Sequence, residues 1–366
     1  MSNPTSSGRN TGAPGAPAVG AMGRKRVLSG MRPTGKLHLG NYMGALHNWV
    51  RLQNDPQYEC YFFIADIHAL TTDYADPSQI TGNTREVILD YLAAGLDPER
   101  SVLFVQSHVV QHYELPLLLG MITPLGWLER VPSYKEMQEN LTSKDLTTYG
   151  FLGYPVLMAS DILLYQAHFV PVGQDQTAHV ELTREVARRF NQFYKGPGGS
   201  EILPEPQVLL TPSPKLPGTD GRKMSKSYGN TILLSDPEPA IRAKIKPMVT
   251  DPARVRRTDP GNPDKCPVGD LHKIFSSPET LQKVYDGCTT ASIGCIECKS
   301  WVADAIVSAL APIQERRVKF EQDPALVTEI FAQGARRATA RAEQTMQEVR
   351  SAMGLGATSP TPVPNV

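Results

Sequence analysis

Cysteine, net charge and long apolar runs are scarce in this chain. Its 366 residues hold five cysteines, with 37 basic and 37 acidic side chains. With zero net charge a bulk electrostatic hold on nucleic acid is not indicated, and a local basic patch stays open as a route to one. The longest uncharged apolar run, Leu115 to Leu128, is too short to span a bilayer and carries two prolines, so no membrane partner is expected. The first 25 residues are rich in Gly, Pro, Ala and Ser and lack the apolar centre of a signal peptide. Residues 1–25 and 355–366 therefore read as disordered tails, and the protein as cytoplasmic. In that compartment clustered cysteines are expected to be metal ligands or redox groups rather than disulfides. No internal repeat is present.

What is present is an alternation of strands and helices. Hydrophobic residues make up 40% and charged residues 20%, as in a soluble chain long enough for two domains. Arg26 to Gly30 reads as a short buried strand ending in a glycine turn, and Glu59 to Ala65, Ser101 to Val105 and His168 to Val172 as three more strands. A helix is predicted from Gly40 to Leu52, where Met43, Leu46 and Val50 recur at helical spacing. Others run from Asp76-Pro77 to Gly95 and from Gln176 to Phe190. The pattern predicts a doubly wound parallel α/β sheet over residues 26–235. Residues 236–354 read as an all-helical second domain, with helices opened by Asp236-Pro237 and Asp323-Pro324. Gly334 is expected to close the latter helix. Beyond it, Ala338, Ala342, Met346, Val349 and Met353 line one face of a further helical run.

Two motifs suit phosphate chemistry. Pro33-Thr-Gly-Lys-Leu-His38-Leu-Gly40-Asn41 joins the first strand to the first helix. Its glycines permit close backbone approach, the helix start offers free N–H groups to an anion, and His38 adds a donor. Gly221-Arg-Lys223-Met224-Ser225-Lys226-Ser227-Tyr-Gly229 packs two lysines and two serines between glycines, a cationic loop able to grip phosphates. It is not a Walker A loop, since Ser225 precedes Lys226. Taken alone, each motif also suits a surface turn or a solvated basic loop.

Four of the five cysteines, Cys266, Cys288, Cys295 and Cys298, are spaced Cys-x21-Cys-x6-Cys-x2-Cys. Three readings stay open on spacing alone: four unrelated buried thiols, a structural Cys₄ zinc site, or a Cys₄ iron–sulfur cluster. Cys60 lies in a predicted core strand and reads as a buried thiol.

The two phosphate motifs, in this order and context, strongly resemble those of class I aminoacyl-tRNA synthetases. Tyr154-Pro-Val-Leu-Met158-Ala-Ser-Asp161-Ile-Leu-Leu-Tyr165 and Val170-Pro-Val172-Gly173-Gln174-Asp175-Gln176 look like the bacterial tryptophanyl branch of that family. Ser29 to Gly35 and Ala65 to Leu70 fit the same branch, and the resemblance covers residues 26–354. It implies a Rossmann-like catalytic domain and a helical domain that reads the tRNA anticodon. The implied reaction activates tryptophan with ATP and Mg²⁺, then charges tRNA(Trp), in a homodimer.

By the same resemblance Arg32, Pro33, Thr34, Gly40 and Asn41 bind ATP, His38 sits near the phosphates, and Gly173, Gln174 and Asp175 hold the adenosine. Leu216 is a weaker match for the adenine side and Lys135 for an extra phosphate contact. Lys223, Met224, Ser225, Lys226 and Ser227 form the closing loop, its lysines toward pyrophosphate. Met158 and Asp161 are three apart on a helix and share a face, so Asp161 can accept the indole N–H between walls of Met158, Val170 and Val172. Gln176 and His68 line the same end. A subset of the branch carries a [4Fe–4S] cluster on nearly this cysteine spacing, with a first gap one residue longer. Arg254, Arg256 and Arg257 are then candidates for tRNA contacts, with a solvated loop as the alternative. The competing functions are the sister enzyme for tyrosine and an inactive paralogue that binds tRNA or nucleotide.

Overall fold

A computed structural model describes residues 23–132, 134, 145–210 and 216–355, without the side chain of Asp175. Lys135 and nearly all of both expected tails lie outside the described residues. Strands β1 (Lys25–Met31), β2 (Tyr58–Ile64), β3 (Ser101–Val105), β4 (Phe169–Val172) and β5 (Gln207–Leu210) form one sheet in the order β3-β2-β1-β4-β5. Every neighbouring pair is parallel. β5 was not expected from the sequence. It is four residues long, partly exposed at the sheet edge, and follows Pro204-Glu-Pro206, which signals a loop.

Helices cover both faces because residues alternate along each strand. Val27, Cys60, Phe62 and Ile64 face one core, with Trp49, Val87 and Tyr91. Leu28, Tyr61 and Phe63 face the other, with Leu115, Ile162 and Val180. The helices involved are α1 (His47–Gln53), α2 (Asp66–Asp73), α3 (Ile80–Ala94), α4 (Gln111–Gly120), α5 (Tyr154–Leu164) and α6 (Thr177–Phe193). Gly95 closes α3 at φ +106°, a left-handed backbone that glycine adopts without strain.

The region after 236 is helical: α7 (Glu238–Ile245), α8 (Pro267–Phe275), α9 (Pro278–Thr289), α10 (Cys295–Gln322) and α11 (Pro324–Ala352). It has no core apart from the sheet's. Val302, Ile306, Leu310 and Ile313 of α10 join the first core, and Ala338, Ala342 and Met346 of α11 the second. Gly334 does not end a helix, which corrects the expectation from its residue type. α11 runs through it because a Cβ there would lie 1.7 Å from the Leu103 carbonyl oxygen, so only glycine lets α11 cross β3 this closely. At the seam, Asp90 of α3 is fully buried and pairs with the buried Arg317 of α10, which also bonds Glu86 at 2.5 Å and Glu321 at 2.8 Å.

Strand order reverses between β1 and β4. In open α/β sheets a ligand crevice forms there, outside the carboxyl ends of the strands.

Candidate active site

A cavity of about 400 Å³ opens at that reversal, lined by the ends of β1 and β4 and by α5. His68, Met158, Asp161, Val170, Val172 and Gln176, the six residues expected at the amino-acid end, all line it. So do Arg32 and Gly173 from the nucleotide set. Gly44 and Ala45 complete part of the wall from a π-helical turn, Tyr42–Leu46, that interrupts the helix expected from Gly40 to Leu52. Such turns insert a residue into a helix and often sit beside functional cavities.

Asp161 is 1% exposed and lies at the centre of a hydrogen-bond hub. Gln106 Nε2 donates to both its oxygens at 2.9 Å, His112 Nδ1 lies 2.6 Å from Oδ1, and His68 Nε2 lies 3.0 Å from Oδ2. Burial alone would raise its pKa. The charge and hydrogen bond of His112, followed by those of His68, outweigh burial and hold it below the usual carboxylate value. Asp161 is therefore an ionised acceptor. His112 Nε2 is 2.8 Å from the buried Tyr165 hydroxyl. Gln106, His112 and Tyr165 were not singled out from the sequence. Their signal was available: Gln106 comes directly after β3, at the strand end where ligand-facing groups collect.

The two phosphate motifs meet. Lys226 Nζ donates to the Thr34 carbonyl at 2.7 Å and the Gly35 carbonyl at 2.9 Å. Gly35 has φ +90° and Gly40 lies over the His38 ring, a Cβ there falling 2.9 Å from it. His38 caps the short helix Leu39–Asn41: its Nδ1 accepts from Asn41 N at 3.3 Å, while Asn41 Oδ1 accepts from His38 N at 3.1 Å. Nδ1 being an acceptor, Nε2 carries the ring hydrogen as a donor. Burial, with Lys226 adding to it, lowers the His38 pKa to about 4, so the ring is neutral near pH 7. Burial lowers Lys226 to about 8, against a partial rise from Asp90.

Met224 and Leu216 are buried, and Met224 N donates to the Leu216 carbonyl at 2.9 Å, so Leu216 backs the lysine loop. Ser225 N donates to Asn230 Oδ1 at 2.8 Å, while Lys223 and Ser227 are exposed. Pro33 is buried, and Gln174 is exposed in the turn after β4. The Arg32 guanidinium donates to Thr72 Oγ1 at 2.6 Å, and its buried Nε has no partner among the described residues.

Cys266, Cys288, Cys295 and Cys298 line one small cavity of about 20 Å³, together with Arg254 and Ile293. Burial, and then the other three thiols, push Cys298 up to about 12. No group of three or more His, Cys, Asp or Glu side chains among the described residues is arranged to hold a metal ion. The convergence is real, yet the sulfurs are not drawn to ligand geometry. Arg254 is buried and faces this cavity rather than solvent, with NH1 3.7 Å from Cys288 Sγ and NH2 bonded to the Ile293 carbonyl at 2.6 Å. Its expected tRNA contact is thereby corrected: its guanidinium is spent inside the protein. Arg257 bonds the Ala291 carbonyl at 3.0 Å from an exposed position, and Arg256 is exposed. Cys60 is buried in β2, where burial raises its pKa to about 12.

A parallel sheet whose reversal cavity borders a glycine–histidine turn clasped by a lysine loop defines a class I aminoacyl-tRNA synthetase. Residues 22–311 match the family described as tRNA synthetases class I (W and Y). The tryptophan–tRNA ligase of Thermotoga maritima is 54% identical over 90% of this chain and 99% of its own length. That of Ralstonia nicotianae is 48% identical over 90% and 98%. The tryptophanyl-tRNA synthetase of Campylobacter jejuni, solved with ADP and tryptophan, superposes with a TM-score of 0.81 at 32% identity, over 90% of this chain and all of that one. The chain belongs to the class I tRNA synthetases of the tryptophan and tyrosine group.

The depressed Lys226 pKa gives a testable pH dependence. Lysine grips a phosphate chain only when charged, so this lysine's contribution to tripolyphosphate affinity should be level below about pH 7 and fall as the pH rises through about 8. Calorimetric titration at pH 7 and pH 9 should read a drop of about tenfold, and Lys226→Met should flatten the profile.

Proposed function

We infer that this chain is a tryptophan–tRNA ligase. The tryptophan carboxylate oxygen attacks the α-phosphorus of ATP, and the bond to the β-phosphate oxygen breaks, giving tryptophanyl-adenylate and pyrophosphate. A terminal ribose hydroxyl of tRNA(Trp) then attacks the activated carbonyl, releasing AMP and losing its proton to solvent or phosphate. No protein nucleophile is required, so catalysis is positioning and charge stabilisation. Mg²⁺ accompanies ATP and neutralises its phosphates.

The observation that carries this reading is Asp161: a buried, ionised carboxylate on the wall of a cavity whose other walls include Met158, Val170 and Val172. It suits a flat apolar ring with one N–H donor. Phenylalanine brings no N–H donor and gains nothing at that carboxylate, so it is disfavoured against tryptophan. Lys226, reaching over the Thr34–Gly35 backbone, suits the departing pyrophosphate, with the exposed Lys223 able to join it. Neutral His38 serves as a hydrogen-bond donor rather than a second cation. Arg32 suits ATP, its buried Nε being unpaired among the described residues. Gly173 to Asp175 take the adenosine, and residues 236–354 the anticodon.

A second copy of the chain is the proposed occupant of an apolar face on and around α4. Val110, Tyr113, Leu117, Met121 and Leu125 are each at least half exposed there, four of them at helix-like spacing. Sedimentation of the full chain at twice the monomer mass supports this, and a monomer overturns it. No helix among the described residues is long and apolar enough to cross a membrane.

The four-cysteine cavity is proposed to take a [4Fe–4S] cluster, with structural zinc as the alternative. The donor set fits soft-metal chemistry: four thiols from the starts of α8 and α10 and the end of α9, with a guanidinium beside them as counter-charge. Its role would be to pin the loop between α9 and α10. Iron, sulfide and zinc analysis of protein purified without oxygen is the test. About four irons and four sulfides per chain are expected. One zinc changes the identity of the site, and no metal reduces it to four thiols.

The activity test is ATP–pyrophosphate exchange with tryptophan and with tyrosine. Exchange with tryptophan alone is expected; exchange with neither sinks the enzyme. Asp161→Asn turns an acceptor into a donor facing other donors. It should lower kcat/KM for tryptophan by about 10- to 100-fold, the loss of one hydrogen bond to a charged group.

A further inference from the structure

The hub around Asp161 is full before any substrate arrives. A carboxylate offers about four acceptor positions, two on each oxygen. Oδ1 receives Gln106 Nε2 at 2.9 Å and His112 Nδ1 at 2.6 Å; Oδ2 receives Gln106 Nε2 at 2.9 Å and His68 Nε2 at 3.0 Å. Because Asp161 is ionised and only accepts, each imidazole nitrogen facing it carries a hydrogen. An incoming ring N–H therefore finds no vacant position and must take one over.

The three donors are not equally able to leave. Gln106 is fully buried and touches both oxygens. His112 is fully buried, held through its other nitrogen by the Tyr165 hydroxyl at 2.8 Å and packed against Phe63 and Phe104 at 5.9 Å. His68 differs. Its side chain keeps 12% exposure, lines the cavity, and makes no other side-chain hydrogen bond to a described residue. Its bond to Asp161 is also the longest of the four.

We propose that His68 holds the place of the substrate's ring N–H: it occupies Oδ2 of Asp161 in the empty pocket and yields that position to the indole nitrogen when tryptophan binds, while Gln106 and His112 stay. This rests on the tryptophan reading and adds to it. The exchange keeps the buried carboxylate satisfied both empty and full, so the empty pocket avoids the cost of an unpaired buried charge. It also makes His68 a residue that sets how sharply the pocket discriminates, since the indole gives up one bond to Asp161 for each it makes there. A ring without N–H leaves His68 in place or leaves Asp161 short of a bond, so it gains nothing at Oδ2.

The test uses the full chain labelled with ¹⁵N-histidine, with His68→Asn assigning the His68 signal. In the free protein, two hydrogen-bonded ring N–H signals are expected from His68 and His112. Saturation with tryptophan should move the His68 signal to its unbonded position and leave that of His112. The benzothiophene analogue of tryptophan, with sulfur for N–H, should leave both. In His68→Leu, the preference for tryptophan over that analogue should widen by about three- to tenfold, since the indole no longer displaces a bond. Tryptophan binding with the His68 signal unmoved and the preference unchanged overturns the exchange alone. Failure of tryptophan to bind at all overturns the functional reading beneath it.

Discussion

The buried ion pair of Asp90 and Arg317 ties the helical region, the sheet and the phosphate turn into one body. Asp90 has no exposure, and one oxygen pairs with Arg317 while the other accepts Leu37 N at 2.7 Å. One carboxylate thus joins α3 to α10 and both to the backbone of the glycine–histidine turn. Removing either partner would strand a buried charge, at a cost of about 3–5 kcal/mol. The pair explains why the helical region shares the sheet's cores. It also explains how the turn holds its shape: Leu37 sits between His38 and the glycine that Lys226 clasps.

A second buried carboxylate organises the opposite face. Asp161 needs several donors because burial would otherwise neutralise it, and the chain supplies them from α2, α4 and the turn after β3. The two carboxylates differ in purpose. Asp90 is matched by a permanent cation and faces protein on all sides. Asp161 is matched by hydrogen-bond donors, one of which sits on the cavity wall. The same logic governs the cations. Burial leaves Lys226 close to losing its proton and His38 neutral, so the turn presents a donor and the loop a charge.

Much of this was legible in the residues. Both phosphate motifs carry their chemistry in consecutive residues, and β1 to β4 show as continuous apolar runs. Asp161 and Met158 declare a common face by their spacing. The illegible features depended on neighbours distant in the chain. Gly334 reads as a helix stop, since glycine is a weak helix former. It sits mid-helix because the Leu103 carbonyl passes where a side chain would be. Arg254 reads as a free cation, and it is buried because the loop around Ile293 and the cysteines accepts it.

Residue order alone was enough to specify the alternation that builds a parallel sheet, the turn and loop chemistry that suits phosphates, and the clustering of four thiols. These are local properties, written in backbone preference, periodicity and the pKa range of each side chain. Packing had to add the convergence of Gln106, His112 and His68 on Asp161. Packing likewise brought Lys226 back to Thr34 and turned Arg254 toward sulfur. Those outcomes rest on burial, which shifts charge states and demands partners, and burial exists only once distant segments have come together.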